Sequence, residues 1–180
     1  PLNAIIGYSE MLEEEAVDLG LEDSVADLRK IHGAGKHLLA LINDILDLSK
    51  VEAGQMELFL ERFDVKAMVE DVFGTIQPLA GKNHNELQVN CPGELGELCA
   101  DMKRLRKCLF NLLSNACKFT ENGKVTLDVC AVTRDALPQV MFCVTDTGIG
   151  ISERQISRIF RAFGQADAST TRRFGGTGLG

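Results

Sequence analysis

The sequence predicts an α+β chain in two parts: a helical hairpin forming a dimeric four-helix bundle, followed by an α/β sandwich. Three observations carry this. Over the first third, apolar residues recur at helical and then heptad spacing. Beyond Gly54, period-two strand patterns interleave with amphipathic helices. The texture changes once, near residues 53–56, and separates 1–53 from 56–180.

The first helix carries Leu2, Ile5, Ile6, Ser9 and Leu12, with Pro1 suited to a first helical turn. It ends in Glu13, Glu14 and Glu15, and Gly20 marks the turn. The second helix starts near Asp23 and carries Leu28, Ile31, Gly35, Leu38, Ile42, Ile45 and Ser49. From Ile31 onward the spacings alternate four and three. Such a seam packs long helices side by side, and a lone hairpin buries too little. The seam is expected to meet a second copy in a four-helix bundle, making a homodimer, the alternative being a hairpin folded onto the rest of its own chain.

Residues 56–65 (MELFLERFDV) alternate as a strand and lead into an amphipathic helix, VKAMVEDVFGTI. A weaker strand at Glu86–Val89 precedes a strong helix from Asp101 to about Lys118. Two further strands, KVTLDVCAV and QVMFCVTD, follow turn residues, and adjacent strands are expected to be antiparallel. Ser152 and Gln155 read as a capping box opening one more helix.

Composition narrows the function. The chain has 180 residues, 45% of them apolar and 25% charged, with a net charge of −7. That fits a folded domain and disfavours a general nucleic-acid surface. No apolar run reaches the ~20 residues of a membrane span, so any membrane link is expected to lie in flanking segments. The six cysteines form no C-x-x-C pair and read as reduced core thiols, which points to a cytoplasmic setting.

Three segments carry candidate chemistry. In RLRKCLFNLLSNACKFT, Leu105, Leu109, Leu112, Leu113 and Ala116 form the expected buried stripe. Asn111, Asn115 and Lys118 share another face at i, i+4 and i+7. Two amides and an ammonium there suit a metal ion and phosphate, and asparagine is otherwise a poor choice in mid-helix. In VTDTGIGIS a strand delivers Asp146 into Gly148 and Gly150, placing a carboxylate that can accept from an exocyclic amine beside backbone that admits close approach. In RRFGGTGLG, Gly175, Gly176, Thr177, Gly178 and Gly180 follow Arg172 and Arg173, a combination that cradles phosphate. The polar AFGQADASTTRRF between these two reads as a mobile lid.

In this order the segments resemble the N, G1, F and G2 boxes of sensor histidine kinases, and GKHLLALINDILDLSKVEAG resembles the second helix of that family's dimerisation and phosphoacceptor domain. The resemblance covers nearly the whole chain. It implies an ATP-binding domain of the histidine kinase/gyrase type over 56–180. Asn115 would ligate Mg²⁺, Asn111 and Lys118 would lie near the phosphates, and Asp146, with Gly148 and Gly150, would recognise adenine. Phe160 and Phe163 would anchor the lid, while Arg173, Gly176, Thr177 and Gly178 would hold phosphate.

By the same resemblance the chain is an ATP-dependent protein-histidine kinase core of a two-component phosphorelay. It would pass phosphate to the aspartate of a response-regulator receiver domain. Gyrase-type relatives carry a glutamate where this chain has Asn111, and an amide cannot activate water. The family's acceptor histidine would lie a few residues upstream of Pro1, so His32, His37 and His84 are expected to be surface or packing residues. The last part of the ATP-binding domain is expected to lie beyond Gly180. Ala162 stands where relatives usually carry proline between the two phenylalanines, which bears on the lid's stiffness. A non-catalytic, nucleotide-sensing dimerisation scaffold is the alternative, motivated by the seam and by Ala162.

Overall fold

The computed structural model describes residues 1–93, 95–153, 155 and 156. The chain divides into two compact units, Pro1–Met56 and a second beginning at Glu57.

The first unit is an antiparallel hairpin of α1 (Leu2–Asp18) and α2 (Glu22–Glu52). Both helices end in the same device. Gly20 and Gly54 adopt φ of +68° and +65°, and the next residue's amide reaches back, Leu21 N to Ala16 O and Gln55 N to Lys50 O. These are Schellman caps, which favour glycine because left-handed backbone strains any residue bearing a Cβ. Gly35 lets the helices touch: a Cβ there would lie 2.9 Å from Ile6 Cγ1. Arg29 Nε pairs with Glu13 Oε1 at 2.7 Å across the hairpin. Much of the heptad seam stays exposed within one chain, including Ile31, Leu38, Ile42 and Ile45, as do Ile5, Tyr8 and Leu12 on α1.

The second unit places two helices on one face of a sheet. Its described elements are β1 (Glu61–Asp64), α3 (Val65–Lys82), β2 (Glu86–Asn90), β3 (Glu97–Ala100), α4 (Met102–Phe119), β4 (Lys124–Arg134) and β5 (Leu137–Asp146). β1 and β3 form a separate antiparallel ribbon, and the main sheet runs β2-β4-β5.

Both core helices start on aspartate caps. Asp64 Oδ1 accepts from Ala67 N at 2.7 Å, and Asp101 Oδ1 from Arg104 N at 3.1 Å. Asp101 Oδ2 also accepts from Phe59 N, and the two amides, Arg104's foremost, hold its carboxyl below the ordinary aspartate range.

The core is where these elements meet. Val65, Met68, Val69, Val72, Ile76 and Ala80 form the α3 stripe, and Leu109, Leu113, Ala116 and Cys117 the α4 stripe. They pack on Val125, Leu127 and Val129 of β4. Over its first half β4 buries every second residue, as a strand with one covered face must.

Several expectations need correction. Leu112 is 54% exposed; it sits at the margin of the stripe centred on Leu113, and Cys117 takes the buried place. Only Cys117 is buried among the cysteines: Cys91 and Cys130 are half-buried, and Cys99, Cys108 and Cys143 are exposed, all six free. Within the expected strand 56–65, only Glu61–Asp64 pairs. The next helix does not stop at Ile76; it continues through Pro78 to Lys82, because buried Ile76 and Ala80 extend the apolar stripe across the missing N–H. β3 lies in a segment where no strand was expected.

β2 pairs parallel to β4 (Glu86 opposite Lys124), while β4 and β5 are antiparallel. These last two strands extend to a two-residue turn, Asp135–Ala136, with φ of +53° and +62°. Both left-handed positions fit the hairpin's twist, but Ala136 lacks the glycine or asparagine signature that marks such turns.

Ile76 is fully buried between the layers. Ile76→Ala is expected to destabilise the second unit by about 2–4 kcal/mol, read as a lower urea midpoint with an unchanged denaturant slope.

Candidate functional site

The site is built where the end of α4 meets the end of β5. On α4, Asn111 and Lys118 are half-buried and Asn115 is exposed. Lys118 Nζ lies 5.1 Å from the centroid of the Phe119 ring, a cation–π distance that settles the ammonium on the helix's last turn.

β5 ends at Asp146, whose carboxylate is exposed. Asp146 Oδ1 accepts from Gly148 N at 2.9 Å, so the carboxylate curls the following backbone into a tight turn. That turn is fixed against α4. Ile149 N donates to the Phe119 carbonyl at 3.2 Å, and a Cβ on Gly148 would lie 2.3 Å from the same oxygen. It would also meet Thr120 Oγ1 at 2.8 Å and Asp146 Oδ1 at 2.9 Å. Only glycine fits. Gly150 then turns the chain away at φ +70°.

Thr147 locks the turn to β4: its amide donates to the Lys124 carbonyl at 3.1 Å, and its hydroxyl accepts from Lys124 N at 2.9 Å. Gly123, below it, has room for no side chain, since a Cβ would fall 2.5 Å from Thr147 Oγ1 and 2.6 Å from Thr120 Cγ2. Thr120 is fully buried, and its hydroxyl has no partner among the described residues.

The Phe119 carbonyl therefore joins the glycine turn after Asp146 to the end of the helix that carries Asn111, Asn115 and Lys118. Asn111, Asn115, Lys118, Asp146, Gly148 and Gly150 are all described. Phe160, Phe163, Arg172, Arg173, Gly175, Gly176, Thr177, Gly178 and Gly180 lie outside the described residues, as does the lid. Gln155 Oε1 accepts from Ser152 N at 2.9 Å and lies 2.7 Å from Ser152 Oγ, so the glutamine reaches back to the serine as a capping box requires; the helix past Ile156 is not described.

Asn85, Thr120 and Gly123 were not singled out in the sequence, although the run KNHNE directly after a helix was the available signal. A cavity lies elsewhere. About 710 Å³ opens between α1 and α2, lined by Glu10, Glu13, Glu14, Asp18, Arg29 and His32. Four carboxylates against one guanidinium repel a polyphosphate, and among the described residues no three His, Cys, Asp or Glu side chains are grouped so as to hold a metal ion between them.

These elements make an α/β domain preceded by a helical hairpin. Residues 1–54 match the His Kinase A (phospho-acceptor) domain, and residues 100–180 match the histidine kinase-, DNA gyrase B-, and HSP90-like ATPase family. The chain belongs to the sensor histidine kinases and carries both of that family's core domains.

It is 38% identical over 181 residues to the autoinducer 2 sensor kinase/phosphatase LuxQ of Vibrio cholerae serotype O1, and 42% over 183 residues to the circadian input-output histidine kinase CikA of Synechococcus elongatus. All of this chain is covered in each case, but only 21% and 24% of those relatives. Among solved structures it resembles full-length ShkA in complex with AMPPNP, with TM-score 0.76 and 32% identity over 99% of this chain and 36% of that one. No helix among the described residues is long and apolar enough to cross a membrane.

Gly148→Ala forces a methyl group into the Phe119 carbonyl. It is expected to lower the thermal midpoint by the equivalent of about 1–3 kcal/mol, whereas Gly74→Ala, where a Cβ meets nothing within 4 Å, is expected not to lower it.

Proposed function

We propose that the chain is the ATP-dependent protein-histidine kinase core of a two-component phosphorelay, with residues 1–53 as the dimerisation and phosphotransfer hairpin and 56–180 as the ATP-binding domain. The observation that carries it is the junction at Phe119, where the Asp146–Gly150 turn is bonded to the end of the helix that bears Asn111, Asn115 and Lys118.

The residues fit the ligand. Asp146 keeps an exposed carboxylate that can accept from the exocyclic amine of adenine, above glycine backbone with no side chain in the way. Asn115 offers an exposed amide oxygen for Mg²⁺, and Asn111 and Lys118 extend the same face toward the phosphates. Phe163, Arg173, Gly176, Thr177 and Gly178 are proposed to close the site and hold phosphate. ATP would supply the phosphoryl group and Mg²⁺ would neutralise its charge. The protein's part is to bind, orient and exclude water. Asn111 is not basic, so the site would hold ATP for transfer instead of rapid hydrolysis.

None of the three histidines is proposed as the phosphoacceptor. His32 lies half-buried on α2 with Nε2 enclosed and unpartnered among the described residues, His37 is exposed on α2, and His84 occupies a turn at φ +54°. The exposed seam residues Ile31, Leu38, Ile42 and Ile45 are proposed to meet those of a second copy. A response-regulator receiver domain is the proposed phosphate acceptor beyond the kinase.

Calorimetric titration with Mg·ATP tests the reading. The chain is expected to bind, and Asp146→Ala and Asn115→Ala are each expected to weaken binding by about tenfold or more. Asn115→Ala should lose its effect when Mg²⁺ is withheld. With labelled ATP, no acid-labile phosphohistidine is expected on His32, His37 or His84. Label on any of them, or full affinity in the Asp146 variant, would contradict the assignment.

A further inference from the structure

Asn85 is 9% exposed and stands in the turn between α3 and β2, outside the residues that face the nucleotide. Its side chain makes three hydrogen bonds, all to one short segment. Nδ2 donates to the Cys117 carbonyl at 2.9 Å and to the Thr120 carbonyl at 2.8 Å, and Oδ1 accepts from Gly123 N at 3.1 Å. The amide is therefore saturated on both nitrogen hydrogens, and it satisfies carbonyls that the end of α4 leaves without helical partners.

The bonds surround the turn that forms the floor of the site. On one side of residues 117–123 stands Asn85; on the other, Phe119 O receives Ile149 N, and Gly148 packs against the same oxygen. Asn83 reinforces the clamp, with Nδ2 on the Cys117 carbonyl at 2.9 Å and its own carbonyl accepting from Asn122 N at 3.0 Å. None of the three Asn85 side-chain bonds reaches β5 or its loop.

We infer that Asn85 is a positioning residue for nucleotide binding: by fixing the α4–β4 turn it sets the height of α4's last turn relative to the Asp146 carboxylate. The inference rests on the proposed nucleotide site. Its physical basis is that the two halves of that site ride on different elements, and the Ile149-to-Phe119 bond registers them only if the turn behind Phe119 is itself fixed. The amide does this from a buried position, where its bonds are not exchanged with water. Losing it leaves the Thr120 carbonyl and the Gly123 N–H in need of new partners and the Cys117 carbonyl with Asn83 as its one side-chain donor, and the turn can find replacements only by moving.

The test measures Mg·ATP affinity and thermal stability together, well below the melting transition, in wild type, Asn85→Ala and Val129→Ala. Val129 is a buried core residue of β4 with no part in the turn. Asn85→Ala is expected to raise Kd about five- to tenfold and to shift the Gly148 and Ile149 amide resonances even without nucleotide. Val129→Ala is expected to lower the melting temperature while leaving Kd and those resonances in place. Equal weakening by both variants, or wild-type affinity in folded Asn85→Ala, would overturn the inference.

Should Asn85→Ala fail to fold, Asn85→Asp carries the test. It keeps an acceptor for Gly123 N but removes both bonds that Nδ2 donates to the Cys117 and Thr120 carbonyls, and an unchanged Kd there would count against the inference. A wild-type chain that binds no Mg·ATP would instead overturn the proposed function itself.

Discussion

The carbonyl of Phe119 is the constraint on which the rest of the second unit turns. It is the last residue of α4, and its oxygen receives Ile149 N at 3.2 Å with Gly148 pressed against it. A helix end leaves carbonyls without partners, so such an oxygen must be capped. Here the cap comes from the loop after β5, which ties the helix bearing Asn111, Asn115 and Lys118 to the strand bearing Asp146. The core makes the contact possible: Leu113, Ala116 and Cys117 seat the last turns of α4 on Val125, Leu127 and Val129. Burial of Cys117 among them pushes its thiol pKa up and leaves it a small apolar filler.

The same constraint explains two glycines at once. Gly148 and Gly123 lie above and below Thr120, and at both a methyl group would collide within 3 Å. Neither needs its glycine for a positive φ, unlike Gly150 at +70°. One stretch therefore uses glycine for closeness and, two residues later, for handedness, two properties that follow from the absence of a Cβ. The hairpin of the first unit repeats the contrast, with Gly35 allowing approach and Gly20 and Gly54 ending helices.

The helices of the second unit were legible because their burial is periodic. The α4 amide face was legible because asparagine at i and i+4 has little other reason to stand in a helix. Asp146 was legible because it ends an alternating strand and meets two glycines. What stayed hidden depends on tertiary context. Nothing local in ELQVN tells a strand that its neighbour will run parallel, since Lys124 lies far along the chain from Glu86. Pro78 reads as a helix end, yet the apolar stripe through Ala80 outweighs one lost bond. Asp135 suits a turn, but Ala136 gives no sign of its left-handed backbone, which the pairing of β4 with β5 imposes. Asn85 was hidden for the plainest reason: a buried amide and an exposed one are the same letter.

The central claim is that nucleotide binds at the Phe119 junction, and amide spectra of the isotope-labelled chain during Mg·ATP titration test it most directly. The expected result is a set of saturable shifts at Asp146, Gly148, Ile149 and Gly150 together with Asn115 and Lys118. Saturable shifts confined to the α1–α2 cleft around Glu13, Arg29 and His32, with Gly148 and Ile149 unmoved, would contradict it.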